Sequence, residues 1–350
     1  MPRNPLRREG RAVLPRPASS PRTAALVSLD AEAMALRELR TALSRQPREI
    51  ACKYLYDDRG SELFEQITRL PEYYPTRIER ALLIDRARSI VEAAGGPALS
   101  DVVELGSGAA SKTVCLLEAA LAAGGKPRYV AVDISAHALQ RTREILAAAR
   151  PEVPVAQVLA DYTQPLQLPS KPAGGKRLVL FLGGTIGNDE DPAAIRLLAR
   201  VREHLEPGDL LLLGANLVTD PASIHAAYND AQGVTAEFNR NLLRNVNRMA
   251  GSEFDPERFD HHAPYVVEKR RIEMWLIARE PMQIDLGRIG SSLGLERGEG
   301  IRTEISRRFV RDEVLRMIDA AGFTPERWME SPDSRFGLAL GAARSGLRGI

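Results

Sequence analysis

From about residue 101 the chain alternates short runs of Leu and β-branched residues with helical stretches. The runs are Val102–Leu105, Tyr129–Val132, Val155–Leu159, Leu178–Leu182 and Leu210–Leu213. This alternation is the signature of βαβ units around a parallel sheet. Their nearly unbroken apolar character is what helices covering both faces of such a sheet require. Between the fourth and fifth runs, Asp191 is placed to cap a helix with Pro192 at its first position, and Ala194, Leu198, Val201 and Leu205 then share one face. Near the C-terminus Val314, Met317, Ile318 and Ala321 form a second stripe ending at Gly322, followed by strand-like segments at Arg327–Met329 and Gly337–Leu340. One helix and two strands there would complete a seven-stranded sheet.

Residues 217–306 interrupt this scheme. They read as a long polar helix opened by Asp220-Pro221, a second helix through Ala236–Met249, and strands at Arg271–Ala278 and Arg302–Ile305. The segment is expected to be an inserted α+β domain joined by residues 31–76. Residues 1–30, rich in Arg, Pro and Ser and poor in acids, are expected to be a disordered tail, with a transit peptide as the alternative.

Composition narrows the function. The 350 residues carry a formal net charge of +2, with basic and acidic positions interspersed, which argues against a nucleic-acid partner. Cys52 and Cys115 stand far apart with no ligand-like spacing, so neither a disulfide framework nor a zinc or other metal site is expected. Apolar runs fall short of the ~18 residues that span a bilayer, and the N-terminus lacks a signal-type hydrophobic segment. These features predict a cytoplasmic protein with no membrane association.

The segment Val102–Thr113 passes from a strand through Gly106, Ser107 and Gly108 into a helix, with Lys112 at the helix entry. Glycine at 106 and 108 permits a sharp turn and close approach of a ligand. Asp133 ends the next strand, where a carboxylate can accept hydrogen bonds from ribose hydroxyls or cap the following helix. Asp161-Tyr162 follows the third strand and offers a carboxylate and an aromatic face to an adenine. A nicotinamide dinucleotide fits this geometry in outline. However, the third glycine of a diphosphate loop is missing, and Glu104 places negative charge just before the turn. A carboxylate there suits the cationic sulfonium of S-adenosylmethionine (SAM) better than a diphosphate.

Several longer motifs occur in one order: Tyr56-Asp57 with Gly60–Phe64, Leu70–Arg77, Glu104–Gly108, Phe181–Asn188, Gly233–Ala236 through Phe238–Asn241, Arg271–Leu276 and Thr303–Ser306. With them, residues 35–345 resemble the SAM-dependent L-histidine Nα-methyltransferases of ergothioneine biosynthesis. The resemblance implies a class I SAM-methyltransferase, Rossmann-like α/β fold spanning 77–216 and completed by 307–345, with substrate-binding modules at 31–76 and 217–306. Chain departures from the family pattern are Tyr54-Leu55 where Trp-Phe is frequent, Asn216 where Asp is expected, and Thr219 where Lys is common.

The resemblance also implies residue roles. Asn188 and Tyr228 would hold the amino and carboxylate groups of a free amino acid, while Gly183 and Thr185 shape the loop where cofactor and substrate meet. Tyr73, Glu304 and Ser306 would receive an imidazole, with Met274 and Phe64 lining its pocket and Tyr56 beside the cofactor and reacting amine. SAM would be held by Tyr56, Gly106, Ser107, Gly108, Lys112, Asp133, Asp161 and Tyr162. The expected activity is methylation of the histidine α-amine, three times over to hercynine, by a monomer. An imidazole offers a donor and an acceptor, which a carboxylate and a hydroxyl can pair; an indole has a donor and no ring acceptor. Glu304 with Met274 therefore favours histidine over a rival substrate such as tryptophan. A catalytically silent SAM or amino-acid binder is the alternative from another class.

Overall fold

The computed structural model describes residues 21–345 except 109, 111 and 291, with side chains from residue 32 onward. The chain opens on α1 (Pro21–Leu43), the two-residue strand β1 (Arg48–Glu49), α2 (Asp58–Ile67) and α3 (Pro75–Ala93). Then follow β2 (Leu99–Leu105), α4 (Val114–Ala122), β3 (Arg128–Asp133), α5 (Ala136–Ala149), β4 (Val155–Leu159), β5 (Lys176–Phe181), α6 (Asp191–Glu203) and β6 (Leu210–Asn216). Next come α7 (Pro221–Ala226), α8 (Val234–Ala250), β7 (Phe259–His262), β8 (Tyr265–Val266), β9 (Arg271–Ala278), β10 (Met282–Asp285), β11 (Ser292–Leu295) and β12 (Gly300–Arg307). The helix α9 (Arg311–Ala320) and strands β13 (Phe323–Glu330) and β14 (Phe336–Ala343) close the described chain.

A seven-stranded sheet runs in the order β13-β14-β6-β5-β2-β3-β4. The central pairs are parallel, and β14 inserts antiparallel between β6 and β13. Alternation along β5 explains its two apolar faces: Leu178 and Leu180 pack with α3 and α4, Val179 and Phe181 with α6 and α9. Pro325 is accommodated because β13 is an edge strand whose register shifts beside it.

A second sheet orders β1-β12-β9-β7, with β8 also on β9. Its apolar face packs with α1, α2 and α8 through Leu39, Leu63, Phe238, Leu242, Met274 and Ile301. Through β1, which pairs parallel with β12, the chain before α2 adds a short strand to this sheet. Among the described residues no helix is long and apolar enough to cross a membrane.

Several expectations need correction. Residues 21–30, read as part of a disordered tail, lie in α1, where Pro21 starts a run of helix formers that the composition of the whole stretch conceals; residues 1–20 lie outside the described chain. A domain boundary at 76/77 cuts α3, which begins at Pro75. The cap of α6 is Glu190, one residue earlier than expected, because the Asp191 carboxylate is drawn to Arg307 at 2.7 Å. The helix opened by Asp220 is short, not long: Asp220 caps it through Ser223 N, but it ends at Ala226. Asp230 then accepts the amides of Val234 and Thr235 and starts α8 afresh. The strands β1, β7 and β8 and the β10–β11 hairpin escaped notice because they are two to four residues long and β7, Phe-Asp-His-His, is largely polar.

Candidate active site

Strand order reverses between β2 and β5, and the crevice beyond their carboxyl ends is where open α/β sheets receive ligands. Gly106 and Gly108 follow β2 with φ of 68° and 49°, conformations that favour glycine, and space is open around Gly108 where a side chain would project. The Gly108 amide donates to Asp133 Oδ2 at 3.0 Å, and Ser135 N donates to Oδ1 at 2.9 Å. Ser135, not Asp133, caps α5. Asp133 lies in a buried position that raises its pKa against the pull of the Ser135, Gly108 and Ile134 amides.

The hydroxyl of Ser107 is buried and has no hydrogen-bond partner among the described residues. An orphaned donor between two glycines in an open cradle fits a polar ligand such as the amino-acid end of SAM. Asp161 is held by Lys53 Nζ at 3.1 Å and by the Thr163 amide and hydroxyl at 2.8 and 2.5 Å. Burial pushes its pKa up, but these partners outweigh burial and the net shift is downward. Tyr162 stands edge-on to Phe181, with ring centres 5.4 Å apart, and its ring reaches to 3.6 Å from where a side chain on Gly106 would begin.

Glu104 departs from expectation. Its carboxylate accepts from Thr113 Oγ1 at 2.6 Å and from the Tyr129 hydroxyl, and burial pushes its pKa up to about 7. It anchors the glycine loop to β3 and carries only part of a charge at neutral pH, so the electrostatic preference for a sulfonium is weaker than a free carboxylate would give. Lys112 pairs with Glu79 on α3, a fully buried residue whose other oxygen accepts the Gly183 amide at 2.6 Å.

Beyond β5, Gly183 and Gly184 turn the chain into a 3-10 turn, Thr185–Asn188. Gly184 has φ of 67°, and a side chain there would start 2.1 Å from Asn216 Nδ2, so glycine is required. Thr185 donates to Leu182 O at 2.9 Å, and Asn188 Nδ2 makes a long contact of 3.6 Å with Cys52 Sγ. The Asn188 carbonyl is left to accept from a ligand.

Register places the remaining groups. Glu304 on β12 stands opposite Met274 on β9, so the two side chains share a face. Glu304 and Ser306 lie two residues apart on that same face. Glu304 makes no hydrogen bond to another described residue, and burial raises its pKa to about 8 although Arg308 pulls it back. The Tyr228 hydroxyl donates to Ser306 Oγ at 2.7 Å. Tyr73 meets Phe64 and Tyr228 edge-on, and Tyr56 meets Phe64 and Phe238 likewise, with centroids 5.5–6.2 Å apart.

One cavity of about 700 Å³ gathers every residue assigned to the site from sequence: Tyr56, Phe64, Tyr73, Gly106, Ser107, Gly108, Lys112, Asp133, Asp161, Tyr162, Gly183, Thr185, Asn188, Tyr228, Met274, Glu304 and Ser306. That volume suits a cofactor and a small substrate together, since ligand sites run ~300–1,000 Å³. Sequence reasoning missed Phe238, Cys52 and Lys53, which also line it. Phe238 stood within a quoted motif, so a signal existed; Lys53 and Cys52 carried none.

A family model described as "Histidine-specific methyltransferase, SAM-dependent" matches residues 35–343. The chain is 39% identical over 315 residues to the histidine N-alpha-methyltransferase of Mycolicibacterium smegmatis, covering 90% of this chain and 97% of that one. It is 40% identical to the protein of the same name from Mycobacterium tuberculosis, covering 89% and 96%. Ergothioneine biosynthesis protein 1 of Neurospora crassa shares 36% identity over 59% of this chain, which spans 23% of that much longer protein. By that family model and the two full-length relatives, the chain belongs to the SAM-dependent, histidine-specific methyltransferase family.

Proposed function

We propose that this enzyme methylates the α-amino nitrogen of free L-histidine with SAM, three times in succession, giving the betaine hercynine in ergothioneine biosynthesis. The observation that carries the reading is the buried carboxyl of Glu304, without a hydrogen-bond partner among the described residues, beside the Ser306 hydroxyl and in the same cavity as the glycine loop. A ring nitrogen pair matches those two groups, and leaving them buried and unpaired penalises other side chains. The mycobacterial relatives named for this activity support it.

SAM supplies an electrophilic methyl group on a sulfonium, so the protein's work is alignment. Gly106, Ser107, Gly108, Lys112, Asp133, Asp161 and Tyr162 are the residues that would hold it. The Tyr228 phenol spends its proton on Ser306, which leaves its oxygen as an acceptor suited to an amine N–H. The Asn188 carbonyl adds a second acceptor, and together they point the nitrogen while its lone pair stays free. Burial pushes the phenols of Tyr56 and Tyr73 well above their usual range. They remain protonated at neutral pH and serve as hydrogen-bonding groups, and the amine's proton leaves towards water. Tyr56, Phe64 and Phe238 turn aromatic rings towards one another, a surface that tolerates a trimethylammonium cation. The same reading takes the enzyme as a monomer of the reducing cytoplasm, a compartment where free cysteines such as Cys52 and Cys115 persist.

An amino-acid panel incubated with SAM and read by mass spectrometry tests the proposal. Histidine is expected to gain three methyl groups and tryptophan none. Methylation of tryptophan in preference to histidine, or a product that stops at one methyl, would defeat the corresponding part of it.

A further inference from the structure

The guanidinium of Arg308 lies just past β12, two residues beyond Ser306, and is 2% exposed. Its Nη1 donates to Ser306 Oγ and to Ser306 O, each at 3.0 Å, while Nε and Nη2, near the Tyr228 and Tyr74 hydroxyls, make no well-aligned hydrogen bond among the described residues. The cation also lies 5.6 Å from the centre of the Tyr228 ring. A buried arginine whose N–H groups are only weakly paired is costly, and packing alone would be served as well by an apolar side chain. The arrangement therefore calls for a role, and Ser306 shows what it is.

A serine hydroxyl has one proton and two lone pairs. Arg308 donates into one, and the Tyr228 phenol, the more acidic of the two hydroxyls, donates into the other at 2.7 Å. Ser306 is thereby left with only its proton to offer the cavity. Resting on the histidine reading above, we infer that Arg308 is a specificity-determining positioning residue. It fixes Ser306 as a donor, so that the pocket accepts a ring presenting one bare nitrogen to Ser306 and one N–H to Glu304. A doubly protonated ring would meet a saturated oxygen backed by a cation, and an indole would leave Ser306 without an acceptor.

The test is a double-mutant cycle with Arg308→Met and Ser306→Ala, reading the KM for L-histidine, kcat, and the Kd for SAM. Because Arg308 acts through Ser306, each single variant is expected to raise the histidine KM tenfold or more with the SAM Kd within about twofold of wild type. The double variant should be no worse than the poorer single. An Arg308→Met enzyme with an unchanged histidine KM, or a double variant whose loss equals the product of the two, would overturn the inference. Should the methionine variant fail to fold, Arg308→Gln takes its place in the same cycle under the same two outcomes. Wild-type activity on histidine in that assay separately decides the underlying reading. Inactivity sinks the reading, whereas activity with independent variants sinks the Arg308 assignment alone.

Discussion

Glu79 and Lys112 form an ion pair whose acidic half is sealed from solvent, and the same carboxylate accepts the Gly183 amide at 2.6 Å. One side chain on α3 thus ties together the loops that follow β2 and β5, the two walls of the crevice. A side chain on Gly214 would begin 2.6 Å from Glu79 Oε1, so the neighbouring strand is also fitted to it.

Glu79→Ala would strand the Lys112 ammonium and the Gly183 amide at once. Removing one partner of a buried pair costs about 3–5 kcal/mol, and Lys112 is partly exposed, so a loss near the lower end, ~3 kcal/mol, is expected in urea denaturation. Glu79→Gln keeps an acceptor for Gly183 and should fold. By releasing Lys112 it should weaken SAM at least tenfold in calorimetry while changing the histidine KM less. Equal affinity of Glu79→Gln and wild type for SAM would show that the pair is mere scaffolding.

Glu304 sets a pH dependence with a definite sign. Its carboxyl titrates at about 8 in the folded protein because burial penalises the charge, with Arg308 acting the other way; the unfolded value is ~4.3. Between those values the folded state holds a proton that the unfolded state has released. Stability from this group is therefore full below ~pH 4.3 and falls as the pH rises through about 8. The neutral Glu304→Gln has no such dependence. Melting curves of the ligand-free proteins should coincide near pH ~4 and diverge in favour of the variant towards pH ~9, by a few kcal/mol. Parallel curves across that range would mean the carboxylate is solvated. Histidine turnover by the same variant should drop about a hundredfold, as expected when a site built for one hydrogen-bonding group is given another in its place.

How much of this was legible beforehand follows a physical division. The strands of the large sheet are buried on both faces, so burial writes itself into composition at Leu178–Phe181 and Leu210–Leu213. The polar members of the site were found through motifs and not through periodicity, since a lone Glu on a strand such as Glu304 looks like a surface residue. What escaped depends on long-range pairing. Nothing local marks Glu79 as the partner of Lys112, 33 positions later, or shows that Glu104 is consumed by Thr113 and Tyr129. Arg308 was overlooked although the two-residue repeat of a strand, running 304, 306, 308, would have put it on the same face. Helix limits failed where two caps compete, as Asp220 and Asp230 do.

His261 supplies the last expectation, because its hydrogen bonds admit only one protonation state. Nε2 lies 2.9 Å from the Tyr228 carbonyl, which can only accept, so that nitrogen carries the proton. Nδ1 lies 3.0 Å from Asn239 Nδ2, a donor also bound to Trp275 O, while the Asn239 carbonyl receives Thr303 Oγ1 at 2.5 Å. Flipping the amide would set its oxygen against the Trp275 carbonyl, two acceptors face to face, so Nδ1 must accept. Burial lowers the ring's pKa, partly countered by the Tyr228 carbonyl, with Arg240 and His262 lowering and Asp230 raising it further. A depressed histidine adds stability that is present above the unfolded value of ~6.5 and is lost as the pH falls through the folded one. His261→Ala, which leaves the Asn239 amide and Tyr228 carbonyl unpaired, should cost about 2–3 kcal/mol at pH ~8. The gap to wild type should shrink towards pH ~5, where wild type must protonate the ring against Asn239. Because the imidazole braces the Tyr228 backbone, the variant's histidine KM should also rise at pH ~8. Urea denaturation at the two pH values decides the matter: a gap that stays constant would show that the ring protonates without disturbing its neighbours.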